Sequence, residues 1–346
     1  MIKKFFSGLS SSMLAVSIIF LAITSILVLQ FRPPHIKNWL RSSGIYATLP
    51  DYLVGQASKA SSGADSAFFG DAGVQAAAKQ AVTPVFLEQT GGQIIDGSFQ
   101  WLDGKTEKPS FSIDLQPQKA AFASGLSSYL KTRYLSLPAC PPRSIPTSTE
   151  LLKITCRPAF GFDVDAEIAK LTNTIVLSDN FLPQVTLSAD TFQAQANDGT
   201  KEPVYQRFQQ VKRVYSYVRL VPIALGFMSI LLITIIMLGF HDHRRAAKKI
   251  GVTLVMSGLL LGVGAALERF IAPFIKTNVA KGNLDTTIRT ALEKGIDAFI
   301  HDLTRQGFIA SGLITLCGAL VLLSLQVVSR RSVVRASAPE TPQSQS

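Results

Sequence analysis

The sequence holds little of what most enzyme chemistry needs. Four histidines and three cysteines occur in 346 residues. His241 and His243 flank Asp242 in a basic loop, and two histidines alone do not define a zinc site. His35 and His301 stand isolated beside apolar stretches. No histidine can therefore be paired by pattern with a nucleophilic Cys or Ser. The sequence contains no Asn-x-Ser/Thr acceptor and no Lys-(Ser/Thr)-Gly triplet. The first absence is compatible with a bacterial source. The second removes the strand motif that penicillin-binding and serine β-lactamase chemistry requires. Ser128-Tyr-Leu-Lys131 and Ser178-Asp-Asn180 do match the other two motifs of that set. Ser128 falls late in its predicted helix, however, and Ser is abundant, so both matches are expected by chance.

Charge is missing from four long stretches, and these are what the sequence has in plenty. Ser11–Phe31, Leu220–Phe240, Ile250–Leu267 and Phe308–Val328 carry no ionisable side chain apart from Cys317. A hydrocarbon core of roughly 30 Å needs about 20 apolar residues in a helix. Ile250–Leu267 is at the short end, a shortfall that slight bilayer thinning or snorkelling of flanking lysines accommodates. Residues 1–10 are short and basic, and the run that follows is longer than a usual signal core. Arg32-Pro33-Pro34 stands where a small-x-small cleavage site would be, so the first run reads as an uncleaved span.

The second and third runs form a hairpin whose loop, 241–249, holds Arg244, Arg245, Lys248 and Lys249 against the single acid Asp242. Such loops stay cytoplasmic. The resulting order is a cytoplasmic N-terminus 1–10, a first span 11–31, an extracytoplasmic domain 32–219, spans 220–240 and 250–267 around the loop, a second extracytoplasmic segment 268–307, a last span 308–328 and a disordered cytoplasmic tail 329–346. A transporter or channel usually carries ionisable groups within its spans; the carboxylates, amines and imidazoles these would use are lacking here. The cytoplasmic pieces are too short to fold as a signalling output domain.

Net charge is +11, which by itself would fit nucleic-acid binding. Most of the excess lies in the N-terminus, the hairpin loop and the tail, where it reads as a topology signal. The partners expected are thus the lipid bilayer and an envelope protein or cell-wall polymer, with no nucleic acid and no cofactor.

Cys140 and Cys156 both fall in the extracytoplasmic segment and read as a disulfide, worth about 3 kcal/mol for a loop of this size. Cys317 reads as a packing residue. Within the same segment, Asp71 to Thr90 has helical spacing, bent or broken at Pro84 and ended by Gly91-Gly92. Asp96-Gly97 and Asp103-Gly104 read as turns, Phe111–Leu115 as a strand and Gln116–Leu135 as an amphipathic helix with Pro117 in its first turn. Pro138 to Ser148 holds four prolines and no regular pattern. Asp163 to Ile175 is a further helix, Leu182 to Phe192 is strand-like and Asn197–Thr200 is a turn. From Glu202 a helix runs unbroken into the hairpin, and Val204, Phe208, Val211, Tyr215 and Val218 give it a short heptad seam. Asn283 caps another helix leading to the last span. These extensions are expected to pack as a stalk.

Asp163, Asp165 and Glu167 stand at alternate positions. A Ca²⁺ site needs six to eight oxygens, so they are at most a weak metal set, and acids opening a helix are the simpler reading. Gly258 and Gly262 in the third span permit close helix approach, either among the chain's own spans, which is favoured, or in a homo-oligomer through that span. The fold class expected is a mainly α integral membrane protein of four transmembrane helices with a mostly helical, minor-β extracytoplasmic domain. The function expected is a membrane-anchored binding or structural module of the bacterial plasma membrane and cell envelope. An envelope hydrolase or an accessory subunit of a membrane complex is the alternative.

Overall fold

A backbone in hydrocarbon satisfies its polar groups only as a helix or a closed barrel. In the computed structural model all four apolar runs are helical. The structure describes residues 2–60, 68–141, 152, 154–158, 163–176, 186–195, 201–239, 242–280 and 285–336. The first helices are α1 (Ile2–Gln30), α2 (Pro33–Ser43), α3 (Ile45–Ala60), α4 (Ala72–Ala81) and α5 (Pro84–Leu102). Strand β1 (Ser112–Asp114), α6 (Gln116–Ser136) and α7 (Val164–Leu171) follow, α7 passing into a π-helical turn at Thr172–Val176. Then come β2 (Thr186–Ser188), β3 (Gln193–Gln195), β4 (Lys201–Pro203), α8 (Val204–Arg207), α9 (Gln209–Gly239), α10 (His243–Ala280) and α11 (Thr286–Ala336). The chain divides into two units: Met1–Ile36 with Arg213–Lys281 and Ile296–Ser346, and Lys37–Lys212 with Gly282–Gly295.

In the first unit, helical segments Leu9–Gln30, Gln209–Gly239, His243–Leu267 and Thr286–Val327 are long and apolar enough to cross a membrane, the second and fourth extending into the other unit. Their side chains are mostly turned outward. Leu238 is 82% exposed and Phe227 71%, and apolar surface on this scale needs a non-aqueous neighbour. The small interior is formed by Leu14 and Ile18 of α1, Leu232 and Ile236 of α9, and Ala246 and Ile250 of α10. Hydroxyl pairs tie the same helices: Ser17 Oγ lies 2.9 Å from Ser229 Oγ, and Ser11 Oγ 2.7 Å from Thr253 Oγ1. Small polar side chains of this kind hold helices together where no hydrophobic force can.

The second unit is built on α4 and α6. Val74, Ala77 and Ala81 on α4 repeat at helical spacing and meet Phe122, Ala123, Leu126, Leu130 and Tyr134 on α6. Ile154, Ile168 and Val176 close the cluster. Helices α2 and α3 are joined at Gly44, whose φ of 72° suits glycine. Helix α2 is linked to α5 by Lys37–Asp96 (2.5 Å) and Arg41–Glu88, with Arg41 Nε 2.6 Å from Glu88 Oε1. Such exposed pairs stabilise by about 1 kcal/mol or less. Strand β1 pairs antiparallel with β2, Ile113 opposite Leu187, and β3 pairs antiparallel with β4.

Several expectations change. Gly91-Gly92 does not end a helix, and Asp96-Gly97 is not a turn: α5 runs through both. These glycines serve close packing instead. A Cβ at Gly91 would lie 2.9 Å from the Tyr46 hydroxyl, and one at Gly97 only 2.3 Å from the Ser110 carbonyl oxygen. Asp103-Gly104 does turn, with Gly104 at φ 76°. Pro84 opens α5 at its first position, after Thr83 caps it. The helix expected from Glu202 is not continuous. Glu202 lies in β4, and the helix is interrupted at Phe208 before α9 starts. Along its proposed seam Phe208 and Val211 are each 50% exposed and Val218 44%, so these residues form no buried stalk contact within the chain. The last helix continues to Ala336, past Val328 and into the tail expected to be disordered. Ser178–Asn180, most of Pro138–Ser148, 182–185, Asn197–Thr200, His241, Asn283 and 337–346 lie outside the described residues.

Candidate functional site

The cysteine pair is the first feature to be placed. Cys140 and Cys156 are joined, with sulfurs 2.00 Å apart. Backbone hydrogen bonds hold the same junction: Cys140 N–H donates to the Arg157 carbonyl at 2.9 Å, and Arg157 N–H to that of Pro138 at 2.7 Å. Inside the loop so closed, Ile154 is buried in the α4–α6 core and the Leu152 carbonyl accepts from Arg133 Nη2 at 2.8 Å. The loop is therefore fixed at its base and at two points along it.

The three acids of the possible metal set go separate ways. Asp163 caps α7, accepting from Ala166 N–H at 3.1 Å. Asp165 accepts from Lys131 Nζ at 2.8 Å on α6. Glu167 lies 3.9 Å from Lys170. Each carboxylate has local work that follows from its position in the first turn or from a facing lysine, and the alternate spacing along a strand does not arise because the segment is helical.

Gly258 and Gly262 face α11 of the same chain. A Cβ at Gly258 would be 2.3 Å from Thr315 Oγ1 and 2.9 Å from the Ser311 carbonyl; one at Gly262 would be 2.7 Å from Ser311 Oγ. Ser311 Oγ donates to the Gly258 carbonyl at 2.7 Å. Gly318 makes the matching approach from α11 toward Gly251 and Val255. The loop expected over 241–249 is helical from His243, and at this start of α10 Arg245 is 3.3 Å from Asp242, whose other oxygen accepts from Arg244 N–H at 3.0 Å. Arg245, Lys248 and Lys249 line a cleft with α1.

Two features were not read from the sequence. The first is a clasp on the α4–α6 core. Asp71 accepts from Gly73 N–H (2.8 Å), from Val74 N–H (3.2 Å) and from Arg133 Nη1 (3.1 Å), and Arg133 Nη1 also reaches the Tyr129 hydroxyl at 3.1 Å. The Tyr129 ring packs over Gly73, where any Cβ would overlap it. Burial pushes the Asp71 carboxyl up, but the Tyr129 hydroxyl, the two amides and the Arg133 guanidinium outweigh it and hold the group below its ordinary value. Burial raises the Tyr129 hydroxyl, which stays protonated and donates. Asp71 before an alanine-rich helix is a legible N-cap, but its partners lie 62 and 58 positions away.

A depressed carboxyl stabilises the fold above its unfolded pKa, and that stability is lost as pH falls through the folded one. Asp71→Asn keeps a capping oxygen and removes the charge. It should cost about 1–2 kcal/mol near pH 7 and flatten the acid limb of stability below about pH 4. Urea midpoints read by Trp fluorescence over a pH series check this; an unchanged acid limb would remove the clasp from the account.

The second is a shallow groove of about 510 Å³ in the second unit, between the α2–α3 corner and the start of α11. Ser43, Thr48, Thr286, Thr287 and Thr290 supply hydroxyls and Lys294 the one charge. Several hydroxyl protons are already used within their own helices: Ser43 donates to Leu40 O, Thr48 to Ile45 O and Thr290 to Thr286 O. Asp285 caps α11 through Thr287 N–H at 2.9 Å; that amide and the Thr287 hydroxyl lower its carboxyl. The groove thus offers oxygen acceptors and one ammonium, with no acid–base pair lining it. This suits hydrogen bonding to a donor-rich partner rather than proton transfer. Comparison with known protein families, curated proteins and solved structures finds no match to this chain.

Proposed function

We propose that the chain is a membrane-anchored binding or structural module of the cell envelope, its second unit carried outside the cytoplasm by four spanning helices. The observation that carries this reading is the Cys140–Cys156 disulfide in that unit. Disulfides persist in oxidising compartments. The basic start of α10, with Arg244, Arg245, Lys248 and Lys249, independently favours a cytoplasmic side for the end of α9 and the start of α10. Both arguments support the same orientation. The hydroxyl-lined groove then faces the envelope, where a polymer or protein rich in donors is the class of partner it fits.

The test is thiol labelling in intact cells with a membrane-impermeant maleimide, in a Cys317→Ser background that leaves only the paired thiols. The expected result is labelling of Cys140 and Cys156 only after reduction by an external reductant. Labelling that still requires permeabilised cells, with denatured controls reacting normally, would put the unit in the cytoplasm and sink the reading.

A further inference from the structure

The cleft between α1 and α10 is graded from charge to hydrocarbon. It measures about 650 Å³ and lies wholly within the first unit. Arg245, Lys248 and Lys249 line one end and Val252 and Met256 the other, with Ser12 contributed by α1. Along α10 these positions recur every three or four residues, so they share one face. From Lys249 to Met256 the helix rises about 10 Å. Val252 and Met256 are half exposed although they lie in a span. Asp242, at the charged end, lies 3.3 Å from Arg245 and accepts from Arg244 N–H at 3.0 Å.

A soluble anion would use the charged end alone and leave the apolar end empty. An amphiphile with a phosphate head uses both. We infer that this cleft binds an anionic phospholipid, its headgroup phosphate between Lys248, Lys249 and the Ser12 hydroxyl and the start of an acyl chain along Val252 and Met256. Basic pockets between spanning helices are suited to such headgroups, and a hydroxyl donor beside two ammonium groups matches a phosphodiester. The inference rests on the first unit lying in a bilayer, as the proposed function also requires.

The experiment uses the full chain reconstituted in nanodiscs of phosphatidylcholine with a minor fraction of phosphatidylglycerol, then re-extracted in neutral detergent. Native mass spectrometry counts the lipid retained. The wild type is expected to keep phosphatidylglycerol well above its share in the disc. K248Q/K249Q should lower that preference about tenfold or more, K248R/K249R should keep it, and Met256→Gln should weaken it with both charges intact. A control pair, R213Q/R219Q, removes two basic residues of α9 outside the cleft. If the control loses as much as K248Q/K249Q, the attraction is general and the site is overturned. If millimolar inorganic phosphate displaces the lipid and Met256→Gln changes nothing, the cleft is a small-anion site and the lipid assignment is overturned. Failure of the chain to enter nanodiscs at all would instead defeat the membrane reading on which both proposals stand.

Discussion

Leu126→Ala should destabilise the second unit strongly. Leu126 is 0% exposed and sits on α6 between Phe122 and Leu130, facing Val74 and Ala77 of α4. Removing it loses the transfer free energy of three methyl or methylene equivalents and leaves a cavity that α4 cannot collapse to fill. α4 is already at closest approach, with Gly73 under the Tyr129 ring and Gly125 beside Ala77. The cost for such a site is about 2–5 kcal/mol, a large part of the stability of an ordinary domain. The readout is convenient. The two tryptophans of the sequence, Trp39 and Trp101, both lie in the second unit, so Trp fluorescence of the full chain in detergent follows that unit alone. Urea melts should show a midpoint shift for Leu126→Ala and almost none for Leu135→Ala, whose side chain is 56% exposed. Equal shifts would mean that the α4–α6 cluster is not the core.

The second large effect is expected inside the first unit, among its four long apolar helices. Gly258→Leu must part α10 from α11, because even its Cβ would come within 2.3 Å of Thr315 Oγ1, 2.8 Å of Thr315 N and 2.9 Å of Ser311 O. Two of those three are backbone atoms and cannot swing aside. The Ser311–Gly258 hydrogen bond is lost with the approach. Overpacking costs about 1–3 kcal/mol in soluble cores, and in lipid the contact has only packing and hydrogen bonding to sustain it. Gly264→Leu is the control, since nothing lies within 4 Å of a Cβ there. Thermal stability of the purified full chain in detergent should fall for Gly258→Leu and hold for Gly264→Leu. A changed oligomeric state with unaltered stability would mean that this face serves a second copy instead of α11.

What each level of description could see follows from the range of the forces involved. The four long apolar helices, the helix over Gln116–Leu135, the short strand at Phe111–Leu115 and the capping role of Asp163 were legible because they depend on periodicity, length and neighbours within one turn. The joined pair Cys140–Cys156 was legible as a pairing because only two cysteines share that segment. Helices α2 and α3, over Pro33–Ser43 and Ile45–Ala60, were not legible, since their propensities are weak and α2 is held partly by pairs to α5 some 47 and 59 positions away.

Glycine misled for the same reason. In isolation Gly91-Gly92 and Asp96-Gly97 read as breakers. In the fold Gly91 and Gly97 are the positions where Tyr46 and the Ser110 backbone come too close for a Cβ. The heptad spacing from Val204 to Val218 misled in the opposite sense: the pattern is present, yet Pro203 and the break at Phe208 interrupt the helix and the apolar side chains stay exposed. The sequence by itself determined a mainly helical chain with four membrane-length segments and a basic hairpin loop, because hydropathy and charge act residue by residue. Only the tertiary structure decided that Asp71, Tyr129 and Arg133 form one clasp, that Gly258 faces Ser311 and Thr315, and that three cations in the first turns of α10 line a cleft against α1. Those are relations between side chains distant in sequence, fixed by packing.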